Sequence, residues 1–223
     1  MTAKLFFQAI LKFFLGVLLV GALIFLPAWT LAYPQGWLFL GILFIPMFAA
    51  GIVMMIKNPG LLQRRLDARE KEGEQKTVIM LSGITFLCAF AAAGLCFRFG
   101  FLVLPRWVSY AAAAVFLAAY ILYAEVLREN EYLSRTVTVE EGPKVIDTGL
   151  YGVVRHPMYM TTLFLFLSMP LVLGSVVSFA IMLFYIPIIV KRIKNEEKVL
   201  EAELEGYSEY KKKIRYRLIP FVW

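Results

Sequence analysis

"PMYMTTLFLFLSMPLVLGSVVSFAIMLFYIPIIV" (Pro157 to Val190) contains no charged side chain. The run is much longer than the roughly 20 apolar residues that cross a bilayer core about 30 Å thick. Pro170 and Gly174 interrupt it, and both residues favour a turn over a continuous helix. The stretch therefore predicts a tight hairpin of two membrane helices, 157–170 and 174–191, with "MPLVLGS" as its turn. A single long kinked helix is the alternative.

Four more apolar blocks precede this hairpin. They cover about 7–32, 36–56, 78–98 and 107–127. The chain of 223 residues is 61% hydrophobic, with a mean hydropathy of +0.73, whereas soluble domains are about half apolar. We predict an all-α polytopic membrane protein with about six transmembrane helices in one bundle.

The distribution of basic residues predicts the orientation of this bundle. The candidate outer loops are 33–35, 99–106 and 171–173. Among the Lys and Arg residues, only Arg98 and Arg106 lie in these loops or at their edges. The other basic residues lie at the N-terminus, in 57–77, in 128–156 and after 190. Because cytoplasmic loops are enriched in Lys and Arg, both termini are predicted to be cytoplasmic.

The formal net charge is +7. Because the charges flank apolar blocks, they favour anionic lipid over nucleic acid as the partner. A single histidine and two cysteines give no metal-ligand pattern, so no metal is expected. The short loops and the absence of a targeting segment fit a multi-pass protein of a prokaryotic inner membrane.

Three polar segments are predicted on the cytoplasmic side. Residues 58–76 mix charges of both signs and indicate a solvated or interfacial helix. Residues 127–157 contain "TVTV" and a turn at 141–143, which indicate a short hairpin or an ordered loop. Residues 191–223 begin as a charged helix that continues the last span. Gly206 ends that helix, and a second short helix follows.

"GLYGVVRHPMY" (Gly149 to Tyr159) lies directly before the hairpin. Pro157 suits the first turn of a helix, which places His156 near the N-cap and Arg155 just outside. A helix N-terminus beside Arg and His is suited to binding phosphate or carboxylate. In the alternative reading, Arg155 reaches the lipid headgroups and His156 only caps the helix.

The C-terminal segment supplies complementary groups on the same predicted side. Glu196 and Glu197 follow the last span, and aromatic and basic residues come after them in the order Tyr207, Tyr210, Arg215 and Arg217. The two segments would together place anion donors, carboxylates and aromatic surfaces around one pocket.

These two motifs, in this order and at this spacing, resemble the isoprenylcysteine carboxyl methyltransferase family, which shares a fold core with phospholipid methyltransferases. The resemblance is strongest from Leu127 to Phe221. It divides the chain into N-terminal transmembrane helices (1–126) and a methyltransferase core (127–223). It implies an S-adenosylmethionine cofactor bound on the cytoplasmic side, and a lipophilic acceptor that enters from the membrane.

The resemblance also implies roles for individual residues. Glu197 and Arg217 would be catalytic. The cofactor would be bound by Arg155, His156, Pro157, Tyr159, Glu196, Tyr207 and Tyr210. The family often has Gly at the position of Thr161, and a larger side chain there alters the helix packing near the cofactor.

The acceptor is left open at this stage. The carboxylate of a prenylcysteine or a similar lipid needs no general base but does need a cation, for which Arg215 and Arg217 are candidates. A phospholipid amine would need a Glu base. A sterol-reductase-like oxidoreductase using NADPH is a further alternative. A transporter or scaffold is disfavoured, because the chain shows no convincing internal repeat.

Overall fold

The computed structural model describes residues 3–66, 73–130 and 145–223. In this part of the chain the regular elements are helices. They are α1 (Ala3–Ala28), α2 (Pro34–Lys57), α3 (Pro59–Leu66), α4 (Gly73–Phe99), α5 (Arg106–Glu129), a 3₁₀ turn (Gly149–Gly152), α6 (Pro157–Val172), α7 (Val176–Met182), α8 (Tyr185–Glu203) and α9 (Tyr207–Lys213). The predicted all-α fold is confirmed.

Five segments among the described residues are long and apolar enough to cross a membrane. They are Leu5–Ala28, Pro34–Lys57, Lys76–Phe99, Arg106–Glu129 and Val176–Glu203. The remaining predicted span, 157–170, corresponds to α6, an apolar helix of 16 residues. At 1.5 Å per residue, α6 is about 24 Å long. It is therefore shorter than the hydrocarbon core, and its first turn lies at a polar edge of the bundle.

The predicted hairpin is confirmed, and the alternative of one kinked helix is wrong. Helix α6 continues two residues past Pro170, and the chain then turns at Gly174, whose φ is +75°. Ser175 caps α7 by accepting a hydrogen bond from the backbone N–H of Ser178 at 3.1 Å. Helix α7 packs back against α6, so the chain reverses direction here.

Backbone contacts attach this turn to the loop between α4 and α5. The Leu104 N–H donates to the Gly174 carbonyl at 2.8 Å, and Val103 forms an isolated bridge with Ser175. The Tyr33 hydroxyl donates to the Leu173 carbonyl. The three loops that were predicted to be outer therefore meet at one end of the bundle, opposite the polar C-terminal segment.

Helices α1 and α4 approach each other closely at Gly94. A Cβ atom on Gly94 would lie 2.6 Å from the Ile24 carbonyl oxygen and 2.9 Å from the Ala28 nitrogen. The neighbouring Ala89 and Ala93 are fully buried. Small residues of this kind let helix backbones approach and gain van der Waals contact within a membrane.

Two sequence predictions concern the segment that precedes α4 and the segment that follows α5. A helix is found at 59–66, in the segment predicted as an interfacial helix, while residues 67–72 lie outside the described part of the chain. The predicted hairpin or ordered loop around 131–144 also lies outside it. The division into 1–126 and 127–223 stays a prediction.

We predict that Gly94→Ala destabilises the bundle by about 1–3 kcal/mol, the usual effect of overpacking a tight contact. Gly83→Ala in the same helix is the matched control, because a Cβ there meets nothing within 4 Å. The control gains helix propensity and should be neutral or stabilising. Thermal unfolding of both variants in detergent measures the difference. Equal stability of the two would contradict the close α1–α4 contact.

Candidate active site

Backbone hydrogen bonds join the segment before α6 to the C-terminal segment. The Arg155 N–H donates to the Tyr216 carbonyl and the His156 N–H donates to the Arg217 carbonyl, each at 2.9 Å. The two segments are far apart in sequence, yet they lie side by side at the start of α6. The predicted meeting of the two motifs therefore occurs.

The side chains of this junction converge on one carboxylate. Glu197 is 3% exposed and lies on the buried face of α8, in line with Ile189 and Ile193. Its Oε1 accepts from Arg155 Nε at 2.8 Å and lies 3.3 Å from His156 Nε2. Its Oε2 accepts from Arg217 Nε at 2.8 Å. One acidic side chain thus pairs with two guanidinium groups and contacts the histidine.

Arg155 is itself buried and has further partners. Its Nη1 donates to the carbonyls of Ile214 and Arg215, at 2.7 and 2.9 Å. These bonds fix the chain that leads from α9 to Arg217. The guanidinium of Arg217 also lies over the ring of Trp223, 5.2 Å from its centroid.

His156 occupies the N-cap position of α6, as predicted, and Pro157 is the first helical residue. However, the imidazole makes no capping hydrogen bond, and it contacts Glu197 instead. The alternative in which His156 is only a helix cap is therefore wrong. The geometry links the start of α6 to the Glu197 cluster, by which we mean Glu197 with Arg155, His156 and Arg217.

A second polar group lies on the adjacent face of α8. The Tyr159 hydroxyl donates to Glu196 Oε2 and accepts from Arg192 Nε at 2.8 Å. The Arg192 guanidinium also lies 5.8 Å from the Tyr159 ring centroid. Arg192 was not among the predicted site residues. Its spacing of four residues from Glu196, one helical turn, was the signal that could have identified it.

Tyr207 and Tyr210 form the wall supplied by α9. Both are buried, and they pack with Ile214 against Val145 and other apolar side chains. The Tyr210 hydroxyl donates to the Tyr151 carbonyl at 2.8 Å, which attaches α9 to the 3₁₀ turn at the start of the motif. Thr161, at the position where the family often has Gly, is fully buried.

The hydroxyl of Tyr207 is the unusual group of this wall. It is buried and has no hydrogen-bond partner in the described chain. Burial raises the pKa of Tyr207, and the negative charge of Glu197 raises it further, so the hydroxyl keeps its proton at neutral pH. An unpartnered buried donor costs free energy unless water or a ligand satisfies it. The Tyr207 hydroxyl therefore indicates a position where a ligand group could be bound.

Gly149 is required where the 3₁₀ turn approaches the end of α5. Its φ is +51°, and a Cβ there would overlap the carboxylate of Glu129. Glu129 Oε2 accepts from the Leu150 N–H at 3.1 Å. This contact anchors the beginning of the motif to the bundle.

Comparisons with known proteins agree with this arrangement. By its fold, the chain is a polytopic helical protein. Residues 110–202 match the sequence model of the isoprenylcysteine carboxyl methyltransferase (ICMT) family. The structure is similar to that of the eukaryotic intramembrane Ras methyltransferase ICMT, with a TM-score of 0.59 and 16% identity, covering 98% of this chain and 85% of that one. The match confirms the predicted resemblance to this family over residues 110–202, and the structural similarity shows a shared fold.

Two curated relatives are named as sterol reductases and not as methyltransferases. A Delta(14)-sterol reductase of Mus musculus is 30% identical over 91 residues, which is 40% of this chain and 22% of that protein. A Delta(14)-sterol reductase of Methylotuvimicrobium alcaliphilum is 22% identical over 135 residues, which is 54% of this chain and 32% of that protein. The chain therefore matches a third or less of the length of these relatives.

We predict that Glu197→Gln lowers the free energy of unfolding by about 3–5 kcal/mol, because it leaves the buried guanidinium of Arg155 without its counter-charge. Glu201→Gln is the matched control on the same helix. It removes only a half-exposed ion pair with Lys211, so a loss below about 1 kcal/mol is expected. Denaturant titration of both variants in detergent makes the comparison. Similar small losses would mean that the Glu197 cluster does not stabilise the junction.

Proposed function

We propose that this protein is an integral membrane methyltransferase of the isoprenylcysteine carboxyl methyltransferase type. It would transfer a methyl group from S-adenosylmethionine to a lipophilic acceptor, with the carboxylate of a prenylcysteine or a similar lipid as the favoured group. The observation that carries the proposal is the junction of the Arg155–His156 segment with the C-terminal segment around Glu197. It forms a polar site directly beside apolar helices.

The residues around this junction fit the proposed cofactor. S-adenosylmethionine supplies an electrophilic methyl group, whose bond to sulfur breaks as the acceptor oxygen bonds to the methyl carbon. The Tyr207 hydroxyl is a buried donor without a partner in the described chain. Tyr159 and Glu196 provide an aromatic face and a carboxylate near the start of α6. These groups suit a ligand that carries an ammonium, hydroxyl groups and an aromatic base.

The two polar groups on α8, one around Glu197 and one around Glu196, would have different roles in the proposed reaction. The oxygens of Glu197 already accept from Arg155 and Arg217. This favours a positioning role for all three residues, in which they hold the two walls in register. The roles that the family resemblance implies for Glu197 and Arg217 in catalysis, and for Arg155 in cofactor binding, stay predictions.

Arg192 and Glu196 are better placed for contact with the reacting molecules. They lie on the face of α8 next to the buried one, and both are only partly buried. A carboxylate acceptor is already ionised at neutral pH, so the protein has to orient it and exclude water. Arg192 would supply the cation that orients the acceptor. The sequence had indicated Arg215 and Arg217 as candidates for this cation. Arg215 is exposed, and Arg217 is held by Glu197.

A sterol-reductase-like oxidoreductase is the second candidate, because both curated relatives are named as reductases. The methyltransferase is preferred because the structural similarity to the Ras methyltransferase covers almost the whole chain. Binding of labelled S-adenosylmethionine and of NADPH to the purified protein distinguishes the two. Saturable binding of NADPH alone would favour the reductase.

In a methyl-transfer assay with a prenylcysteine analogue, we predict that Arg192→Gln lowers kcat/KM for the acceptor by about 10- to 100-fold, the value of a charge-assisted hydrogen bond. Arg192→Lys should recover part of the activity. Glu196→Gln should act mainly through the KM for S-adenosylmethionine. With phosphatidylethanolamine as the acceptor, a loss of kcat in Glu196→Gln would instead indicate an amine acceptor and a Glu base.

We predict that Tyr207→Phe weakens the binding of S-adenosylmethionine by about 5- to 10-fold, the contribution of one hydrogen bond. The substitution should not destabilise the ligand-free protein, because the hydroxyl has no partner there. Tyr210→Phe is the control with the opposite pattern, since it removes the bond to Tyr151 and should lower stability. Calorimetric titration and thermal unfolding measure the two effects. Unchanged affinity in Tyr207→Phe would remove Tyr207 from the cofactor site.

A further inference from the structure

The outer face of α8 carries a groove that the proposed catalytic site does not use. It is an open depression of about 580 Å³, and all of its lining residues lie on α8. Its lining changes along the helix from apolar to basic. We call it the basic groove and define it by Ile186, Pro187, Val190, Lys191, Lys194 and Lys198.

The basic groove lies on a different stripe of α8 from the site residues. The buried stripe runs through Ile189, Ile193 and Glu197 at intervals of four residues. The groove residues Val190, Lys194 and Lys198 are each shifted by one position, which is a rotation of about 100° around the helix. The same helix therefore presents Glu197 to the bundle interior and the lysines outward.

The described part of the chain supplies no counter-charge to the lysines of the basic groove. No carboxylate lies within ion-pairing distance of Lys191, Lys194 or Lys198 in the described part of the chain. The lysines of α9 differ in this respect, because Lys211 pairs with Glu201 and Lys213 pairs with Asp147. Three neighbouring ammonium groups on one stripe repel each other and attract an anion.

Along α8, the lining of the basic groove changes from apolar to basic, in the same order as the acyl chains and the headgroup of a membrane lipid. Helix α8 belongs to a candidate span, and its apolar half comes before its charged half. Ile186 and Lys198 are about 18 Å apart along the axis at 1.5 Å per residue. The apolar part of the groove can therefore contact an acyl chain while the lysines lie at the level of the headgroups.

We infer that the basic groove binds one anionic phospholipid, with its phosphate among the three lysines and an acyl chain along Ile186, Pro187 and Val190. A phospholipid with a net negative headgroup is favoured over phosphatidylcholine, whose quaternary ammonium would lie near the lysines. The bound lipid would stabilise the outer face of α8, the helix whose buried face carries Glu197. This assignment is independent of the reaction proposed above.

The test uses the full chain in nanodiscs of mixed phosphatidylglycerol and phosphatidylcholine. Native mass spectrometry counts the lipids that stay bound after release from the bilayer. We expect wild-type protein to retain one phosphatidylglycerol, and K191Q/K194Q/K198Q to retain it at least tenfold less, because basic residues near a membrane surface attract anionic lipid. Replacing the same three lysines with arginine should preserve retention.

The control variant K57Q/K76Q/K212Q removes the same charge elsewhere and should retain phosphatidylglycerol like the wild type. Wild-type retention should also fall when salt is raised before release, because screening weakens an exposed electrostatic site. The inference is overturned if the groove variant and the wild type retain equal amounts of phosphatidylglycerol. It is also overturned if the wild type shows no preference for phosphatidylglycerol over phosphatidylcholine, or if the control variant loses it to the same extent.

Discussion

The carboxylate of Glu197 is the group on which the junction of this protein depends. Its oxygens accept from Arg155 and Arg217 and contact His156, so one side chain connects the loop before α6, the helix α8 and the C-terminal segment. A buried charge is costly unless it is paired and hydrogen-bonded. Because Glu197 and its two arginine partners lie on three different segments, both ion pairs form only when all three segments are in place.

The bundle supplies the rigid frame for this junction. The helices pack through apolar and small side chains, most closely where Gly94 lets α4 approach α1. At the opposite end of the bundle from the junction, the turn at Gly174 is held by Leu104 and Tyr33. Helix α6 is therefore fixed at its C-terminal end by these loop contacts and at its N-terminal end by the Glu197 cluster.

Helix α8 has three chemically different faces. One carries Glu197 into the interior, the next carries Arg192 and Glu196 towards Tyr159, and the outer face carries the basic groove. A shift of one residue in sequence corresponds to a rotation of about 100° around a helix. For that reason adjacent residues of the run "KRIKNEEK" have different surroundings, and their roles cannot be exchanged.

The sequence by itself determined the helical membrane fold, the hairpin after His156 and the pairing of two polar motifs. Apolar run length and the positions of Pro170 and Gly174 carry the first two locally, whereas the pairing of the motifs was predicted from the distribution of basic residues and from the family resemblance. The residues alone did not separate Glu196 from Glu197, whose different roles came only from the family resemblance, and they left Arg192 out of the site, because the direction of a side chain depends on how α8 is rotated against its neighbours. They also left open whether His156 only caps a helix. Only the tertiary structure decided that the imidazole contacts Glu197 and that Tyr207 is buried without a partner in the described chain, since both facts depend on atoms that are distant in sequence.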